Sequence, residues 1–375
     1  MPRNVGIVGA GIVGLAHAWS AAERGHAVTV FERSPRASGA SIRNFGMIWP
    51  VGQTPGERHQ TALRSRDRWL RLRDQAGLFV DPCGSIHLAH REDEWRVLQE
   101  FAAVAPGLGF DCQLLTPAEV QHRTAAAQPQ GLLGGLWSPT ELCVDPPAAI
   151  RTLPGWLAAT YGVEFEWNTT IVEAQTGGLK RADGRWWRGD HAVICTGADL
   201  ETLFPEILQR SGLRRCKLQM LKTVPQSAGW RLGPHLAGGL TLRHYPTFQV
   251  CAGLPALRER IAAETPELDQ YGIHVMASQG PSGEVILGDS HEYDDAMEPF
   301  DKESIDELIL GELRRIIHLP DWRIAARWHG VYAKHPTRPI IAEEPQPGVF
   351  IRVGIGGTGM TLSLGMAEQD WQQWA

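Results

Sequence analysis

Val5-Gly6-Ile7-Val8-Gly9-Ala10-Gly11-Ile12-Val13-Gly14 opens the chain with a short apolar run that ends in G-x-G-x-x-G. The run reads as a buried strand and the glycines as its turn into a helix. Gly9 permits the tight turn, Gly11 lets a phosphate group approach the backbone, and Gly14 lets the helix pack close to the strand. A second strand, His26-Ala-Val-Thr-Val-Phe31, delivers Glu32 eighteen residues after Gly14. A carboxylate there accepts hydrogen bonds from a ribose, and the helix N-terminus favours a pyrophosphate. Strand, helix, strand and acid in this order predict a dinucleotide site built on Gly9, Gly11, Ile12, Val13, Gly14 and Glu32.

Working outward, Ser34 to Gly46 is a connection of small and polar residues that can lie against a ligand. A helix is expected from about 57 to 75, with Arg64, Arg66, Arg68, Arg71 and Arg73 on a solvated face. Asp145-Pro146-Pro147 signals a helix start, with aspartate as cap and proline in the first turn, and Gly162 stops that helix. Residues 190–198 read as a buried strand ending in Thr196-Gly197. Runs at 241–251, 273–277 and 285–287 read as strands of an antiparallel sheet. At the far end, Gly348 to Gly359 is a strand entering a second glycine cluster, with a helix after it. The chain therefore returns to the nucleotide unit.

These elements predict an α/β protein with a Rossmann-like unit from segments 1–80, 140–213 and 325–375. A second unit, 81–139 and 214–324, is built on the antiparallel sheet. With 375 residues, 43% of them hydrophobic, the chain is long enough for two cores. A formal charge of -6 gives no global drive toward nucleic acid or anionic membrane. Neither a signal peptide nor a membrane span is evident, so a cytoplasmic location without stable membrane insertion is expected. The six cysteines have no metal-ligand spacing, so structural thiols and no metal site are expected. Oligomeric state is left open.

A nicotinamide enzyme needs no second glycine-rich turn at the C-terminus, whereas a flavin uses one. Four segments together resemble the D-amino acid oxidase, glycine oxidase and sarcosine oxidase group of FAD-dependent amine oxidoreductases. They are the N-terminal fingerprint with Glu32, Ser38-Gly-Ala-Ser-Ile-Arg-Asn44, Cys195-Thr-Gly-Ala198 and Gly354-Ile-Gly-Gly-Thr-Gly359. The resemblance covers essentially the whole chain. It implies FAD, with Arg33 beside the adenosine and Ala40, Ser41, Asn44, Gly46 and Met47 along the ribityl chain and ring. It places Ile171 at the adenine and Thr196 and Gly197 at the phosphates. Gly356, Gly357, Thr358, Gly359, Met360 and Thr361 fall at the ring's pyrimidine edge. Sarcosine oxidases attach the ring to a cysteine two residues before a tyrosine; Gly330 stands there before Tyr332, which implies noncovalent FAD.

The pattern breaks at the substrate. The arginine that glycine oxidase and D-amino acid oxidase use for the substrate carboxylate falls within Gly330-Val331-Tyr332, and the sarcosine oxidase lysine falls at Thr361. Candidate replacements are Arg43, Arg243, Lys334 and Arg338, with Trp49 bordering the ring. Tyr245, His244 and Tyr332 are candidates to contact the amine or anion. Ser41 to Pro50 and Gly330 to Pro336 resemble the subgroup linked to aminophosphonate breakdown. That implies an oxidase of 2-aminoethylphosphonate or its N-methyl derivative, releasing phosphonoacetaldehyde, ammonia or methylamine, and hydrogen peroxide. A glycine- or sarcosine-type oxidase with a rearranged anchor, a quinone-linked dehydrogenase in place of oxygen reduction, and a flavin-binding partner without catalysis stay open.

Overall fold

A computed structural model of the chain describes residues 1–374. Asn4–Val8 is the centre of a six-stranded sheet in the order Ile341–Gln346, Val349–Val353, His191–Ile194, Asn4–Val8, Ala27–Glu32, Glu164–Trp167. Every pair is parallel except Ile341–Gln346 on Val349–Val353 at the edge. The two-residue alternation of a strand explains its two covered faces. Val5, Ile7, Val28 and Val30 join the helices Ile12–Ala22, Glu57–Ala76, Pro146–Tyr161 and Gly359–Gln373. Val8 and Phe31 pack on the opposite side, beneath the antiparallel strands Ile171–Gln175, Gly178–Arg181 and Trp186–Arg188. Gly6 faces that layer because a Cβ there would come within 2.7 Å of Leu179 and Trp187.

The second large sheet has nine strands and is antiparallel except for His235–Ala237 on Ser85–Ala89. Its core takes in Val97, Phe101, Leu257, Ile261, Ile305 and Ile309 from the covering helices Glu92–Val104, Leu254–Glu264 and Glu303–Ile316. Strand Ile324–Lys334 pairs along its length with Arg214–Thr223 of this sheet, although the division at 325 assigns it to the nucleotide unit. A local pattern identifies a strand without identifying its neighbour. Lys334 at its end then bridges Ile355, so this strand leads directly to the second glycine cluster.

Several local readings agree with the structure. Asp145 Oδ1 accepts a hydrogen bond from Ala148 N at 3.0 Å, and Gly162 takes the left-handed conformation at the other end of that helix. The stretch 241–251 departs from its expected strand. It forms the helix Leu240–His244 and the 3-10 turn Pro246–Val250. Leu240, Leu242 and Phe248 gain burial from the helical turns, and Pro246 has no amide to offer a ladder. All six cysteines are free thiols. No helix among the described residues is long and apolar enough to cross a membrane.

The arginine face of Glu57–Ala76 is only partly solvated. Arg68 is buried, with Nη1 3.0 Å from Glu23 and 3.5 Å from Glu368, and its guanidinium lies 3.8 Å from the Trp19 ring centroid. Its Nε and Nη2 have no partner, and Glu23 keeps Arg71 as a second cation. Arg68→Ala is therefore expected to cost about 2–3 kcal/mol, mostly from the lost packing on Trp19 and the weakened ion pairs. Arg68→Met should recover part of this, as read by urea denaturation of both variants.

Candidate active site

The first glycine turn is closely constrained by backbone. Gly9 has φ +103°, donates its N–H to Phe31 O at 2.8 Å, and would bring a Cβ to 2.4 Å from Cys195 O. A Cβ on Gly14 would lie 1.9 Å from Gly9 O, so the helix sits directly against the turn. Glu32 accepts hydrogen bonds from Ala10 N and Ser34 N, both at 3.0 Å, which holds its carboxylate beside the turn. Ile12 N donates to Ser41 Oγ at 3.0 Å and ties the 34–46 connection across the helix start. Asn44 holds that connection in shape, donating to Ala40 O and Ser41 O and accepting from Gly46 N. Arg33 pairs with Asp199 at 2.7 Å, and Thr196 Oγ1 donates to Asp199 O.

A cavity of about 1300 Å³ runs from this turn to the C-terminal glycine cluster. Gly9, Gly11, Ile12, Val13, Glu32, Arg33, Ala40, Ser41, Asn44, Ile171, Thr196, Gly197 and Gly356 to Met360 line it. So do Arg43, His244, Tyr245, Tyr332, Lys334 and Arg338. The tertiary structure thus brings both glycine turns and most of the candidate substrate residues around one cavity. Six candidates lie off it. Gly14 is beneath the turn. Gly46, at φ +74°, is pressed against Val144 O, and Met47 is in a short strand paired with Cys143. Thr361 Oγ1 accepts from Trp49 N at 3.0 Å, and both residues are buried. Arg243 turns away to Asp269 at 3.1 Å and to Ile273 O at 2.9 Å.

The cavity suits FAD by the chemistry of its donors. Helices Ile12–Ala22 and Gly359–Gln373 both begin at its wall with no side-chain cap and no acidic residue in the first turn. Their positive dipole ends favour an anion, with Ile12 N already held by Ser41 Oγ. A Cβ on Gly197 would meet nothing within 4 Å, and one on Gly11 only Ser41 Oγ at 3.1 Å, which leaves backbone open to a close ligand.

At the other end, burial holds the Tyr332 hydroxyl far above its ordinary pKa, so it remains a proton donor, and Tyr245 is raised by burial in the same way. Tyr245 OH donates to Met276 Sδ at 3.3 Å. Lys334 Nζ donates to Tyr293 OH at 3.3 Å, and burial lowers its pKa. Arg43 donates to His329 O at 3.2 Å. Arg338 pairs with Glu343 at 2.8 Å near the surface, which satisfies its charge without a ligand. Trp49 is packed among His87, His235 and Tyr245 in the core.

Several cavity residues went unrecognised in the sequence, Arg58 chief among them. Arg58, in the first turn of Glu57–Ala76, reaches the C-terminal glycine cluster, donating from Nη2 to Thr358 Oγ1 and from Nε to Gln53 Oε1, both at 3.1 Å. Burial lowers its pKa. Only its place at the start of the helix, facing the loop before it, could have set it apart from the other arginines. His274, Asp289 and His291 also line the cavity beside His244 and were not singled out.

Known proteins share the sequence pattern and the fold of this chain. The glycine oxidase of Geobacillus kaustophilus (strain HTA426) is 25% identical over 380 residues, covering 96% of this chain and 89% of that protein. A tRNA 5-methylaminomethyl-2-thiouridine biosynthesis bifunctional protein of Shewanella amazonensis is 26% identical over 411 residues; the match covers 98% of this chain but 56% of that protein. The crystal structure of glycine oxidase from Bacillus cereus shares the fold with a TM-score of 0.77 at 18% identity, covering 98% of this chain and 93% of that one. The family profile described as FAD dependent oxidoreductase matches residues 4–369, and the chain, with FAD as its cofactor, belongs to that family.

Proposed function

We propose that the protein oxidises the amine of a small anionic compound, and that the anion is a phosphonate, as in 2-aminoethylphosphonate or its N-methyl derivative. The observation that carries the anion is how two of the cavity's cations, Lys334 and Arg58, are paired. Lys334 bonds a phenol, and Arg58 bonds an amide and a hydroxyl, so the hydrogen bonds of both end on neutral groups. Two partly desolvated cations with neutral partners suit a dianion better than a single carboxylate. The likeness to glycine oxidase supports amine oxidation and also a second reading, an α-amino acid as substrate.

FAD, when bound, takes the hydride equivalent from the carbon bearing the amine. The protein's part is orientation. Lys334 and Arg58 hold the anion, and Tyr332, kept protonated by burial, donates a hydrogen bond beside Gly357. The substrate amine must be neutral to lose hydride, and a pocket bearing cations favours that form. The resulting imine takes up water to release aldehyde and ammonia or methylamine. Oxygen or another acceptor then removes the two electrons. Noncovalent attachment of FAD belongs to the same reading.

Anaerobic mixing with 2-aminoethylphosphonate, its N-methyl derivative, glycine and sarcosine tests it. Bleaching of the flavin by the phosphonates alone is the expected result; bleaching by glycine or sarcosine alone would overturn the phosphonate. Lys334→Ala is expected to raise KM for the phosphonate about 100-fold, equivalent to 2–3 kcal/mol, with a much smaller change in kcat. Lys334→Arg should restore much of it.

A further inference from the structure

His244, His274 and His291 form a compact cluster on the cavity wall. One ring nitrogen from each lies within 4.8 Å of the others. They are thirty and seventeen residues apart, a spacing with no ligand signature in sequence. Their scaffold is firm: His274 and Asp289 exchange backbone hydrogen bonds at 3.3 and 2.9 Å, and His291 N donates to Tyr271 O at 2.7 Å. His244 closes the cluster from the end of helix Leu240–His244.

The cluster leaves polar atoms without partners. His274 is 2% exposed, yet its Nδ1 has no hydrogen bond, and neither has Asp289 Oδ1, which lies 3.1 Å from His274 Nε2. Orphaned buried groups of this kind are costly. His291 Nδ1 pairs with Gly272 O at 3.2 Å, which fixes that nitrogen as the donor and leaves Nε2 with a free lone pair. A carboxylate or carbonyl behind an imidazole is the usual support of a ligating histidine.

We propose that His244, His274 and His291 bind one divalent transition-metal ion of the Zn²⁺ class, supported by Asp289, with an open coordination position facing the cavity. Three neutral imidazoles and an open position are a recognised set for zinc. Burial pushes all three imidazoles toward the neutral form that coordinates a metal, His291 to about 3. Lys334 and Arg243 oppose a cation here through their charge, and the Asp289 carboxyl, 3.1 Å from His274 Nε2, stands behind the cluster as the counter-group. The open position would take an oxyanion. That last step rests on the anionic-substrate reading, whereas metal binding does not.

The test uses the FAD-containing protein after chelator dialysis, loaded with Zn²⁺ or Co²⁺ and freed of excess by gel filtration. About one metal per chain by elemental analysis is expected, with Co²⁺ giving ligand-field absorption to the red of the flavin. His244→Ala and His291→Ala should each abolish stoichiometric binding while keeping bound FAD, which verifies their folding. Asp289→Asn should weaken binding about 10–100-fold. Methylphosphonate should shift the Co²⁺ bands. Wild-type protein retaining no more metal than the histidine variants would overturn the proposal, whatever amine the enzyme oxidises. Metal binding without a methylphosphonate shift would overturn the oxyanion step alone.

Discussion

Gly9→Ala is expected to purify without flavin and to unfold well below the wild-type temperature. Two effects add at this one position. At φ +103° any side chain is strained, at about 1–3 kcal/mol. The new methyl would also sit 2.4 Å from Cys195 O, a backbone atom just past the end of the neighbouring parallel strand that cannot swing aside. Relieving the clash means separating the strands Asn4–Val8 and His191–Ile194 where they form the cavity floor. Gly11→Ala is the matched control. Gly11 has φ -70°, and its methyl would meet only Ser41 Oγ at 3.1 Å. That variant should keep nearly wild-type stability while losing FAD affinity, because the methyl occupies space for the pyrophosphate. Flavin absorbance per protein and thermal unfolding distinguish the two. Full flavin content and an unchanged midpoint in Gly9→Ala would contradict the role assigned to the turn.

Acid should destabilise the protein steeply below pH 6.5. His17 and His235 are buried with pKa values lowered to about 4, and His87 to about 3, in each case chiefly by desolvation. Unfolding returns each to its ordinary value of 6.5. Between the folded and unfolded values the unfolded chain binds the extra proton, so stability is complete above pH 6.5 and falls as pH drops toward 4. Each histidine contributes about 1.4 kcal/mol per pH unit in that window. Buried Glu141 acts in the opposite sense. Desolvation raises its pKa, so above its ordinary value of 4.5 it remains protonated while the unfolded chain loses the proton; its stabilisation grows as pH falls. Together His17, His87 and His235 give a loss of about 4 kcal/mol per pH unit near pH 5, which Glu141 offsets in part and the buried His244, His274 and His291 reinforce. Urea unfolding at pH 7, 6 and 5 measures it. His87→Leu tests the assignment directly, since neither ring nitrogen has a partner to lose. It should flatten the slope by about 1.4 kcal/mol per unit; an unchanged slope would show that His87 is already charged in the folded protein.

Legibility followed how local the physics was. Asp145, Pro146 and Gly162 bound a helix through contacts within a few residues, so a sequence reading finds that helix. Residues 241–251 show the opposite case. They read as a strand-like run, but packing of Leu242 and Phe248 into the second core coils them. Arg68 carries the same local signal as its solvated neighbours on the helix, and only the approach of Trp19, Glu23 and Glu368 from other segments buries it.

Within the site, the sequence alone determined the two glycine turns, Glu32 and the loop around Ser41 and Asn44. Their requirements are backbone requirements: positive φ, a methyl-free approach and uncapped amides at a helix start, each written in residue type and short spacing. Tertiary structure alone decided which charges reach the cavity. Arg243 finds a carboxylate outside the cavity and Arg338 lines it with its charge already paired to Glu343, whereas Arg58 and Lys334 meet at the far glycine cluster from segments nearly three hundred residues apart. It also decided that His244, His274 and His291 face one another. A long side chain's destination depends on the counter-charges and cavities that folding brings within its reach, and nothing in its immediate neighbours records them.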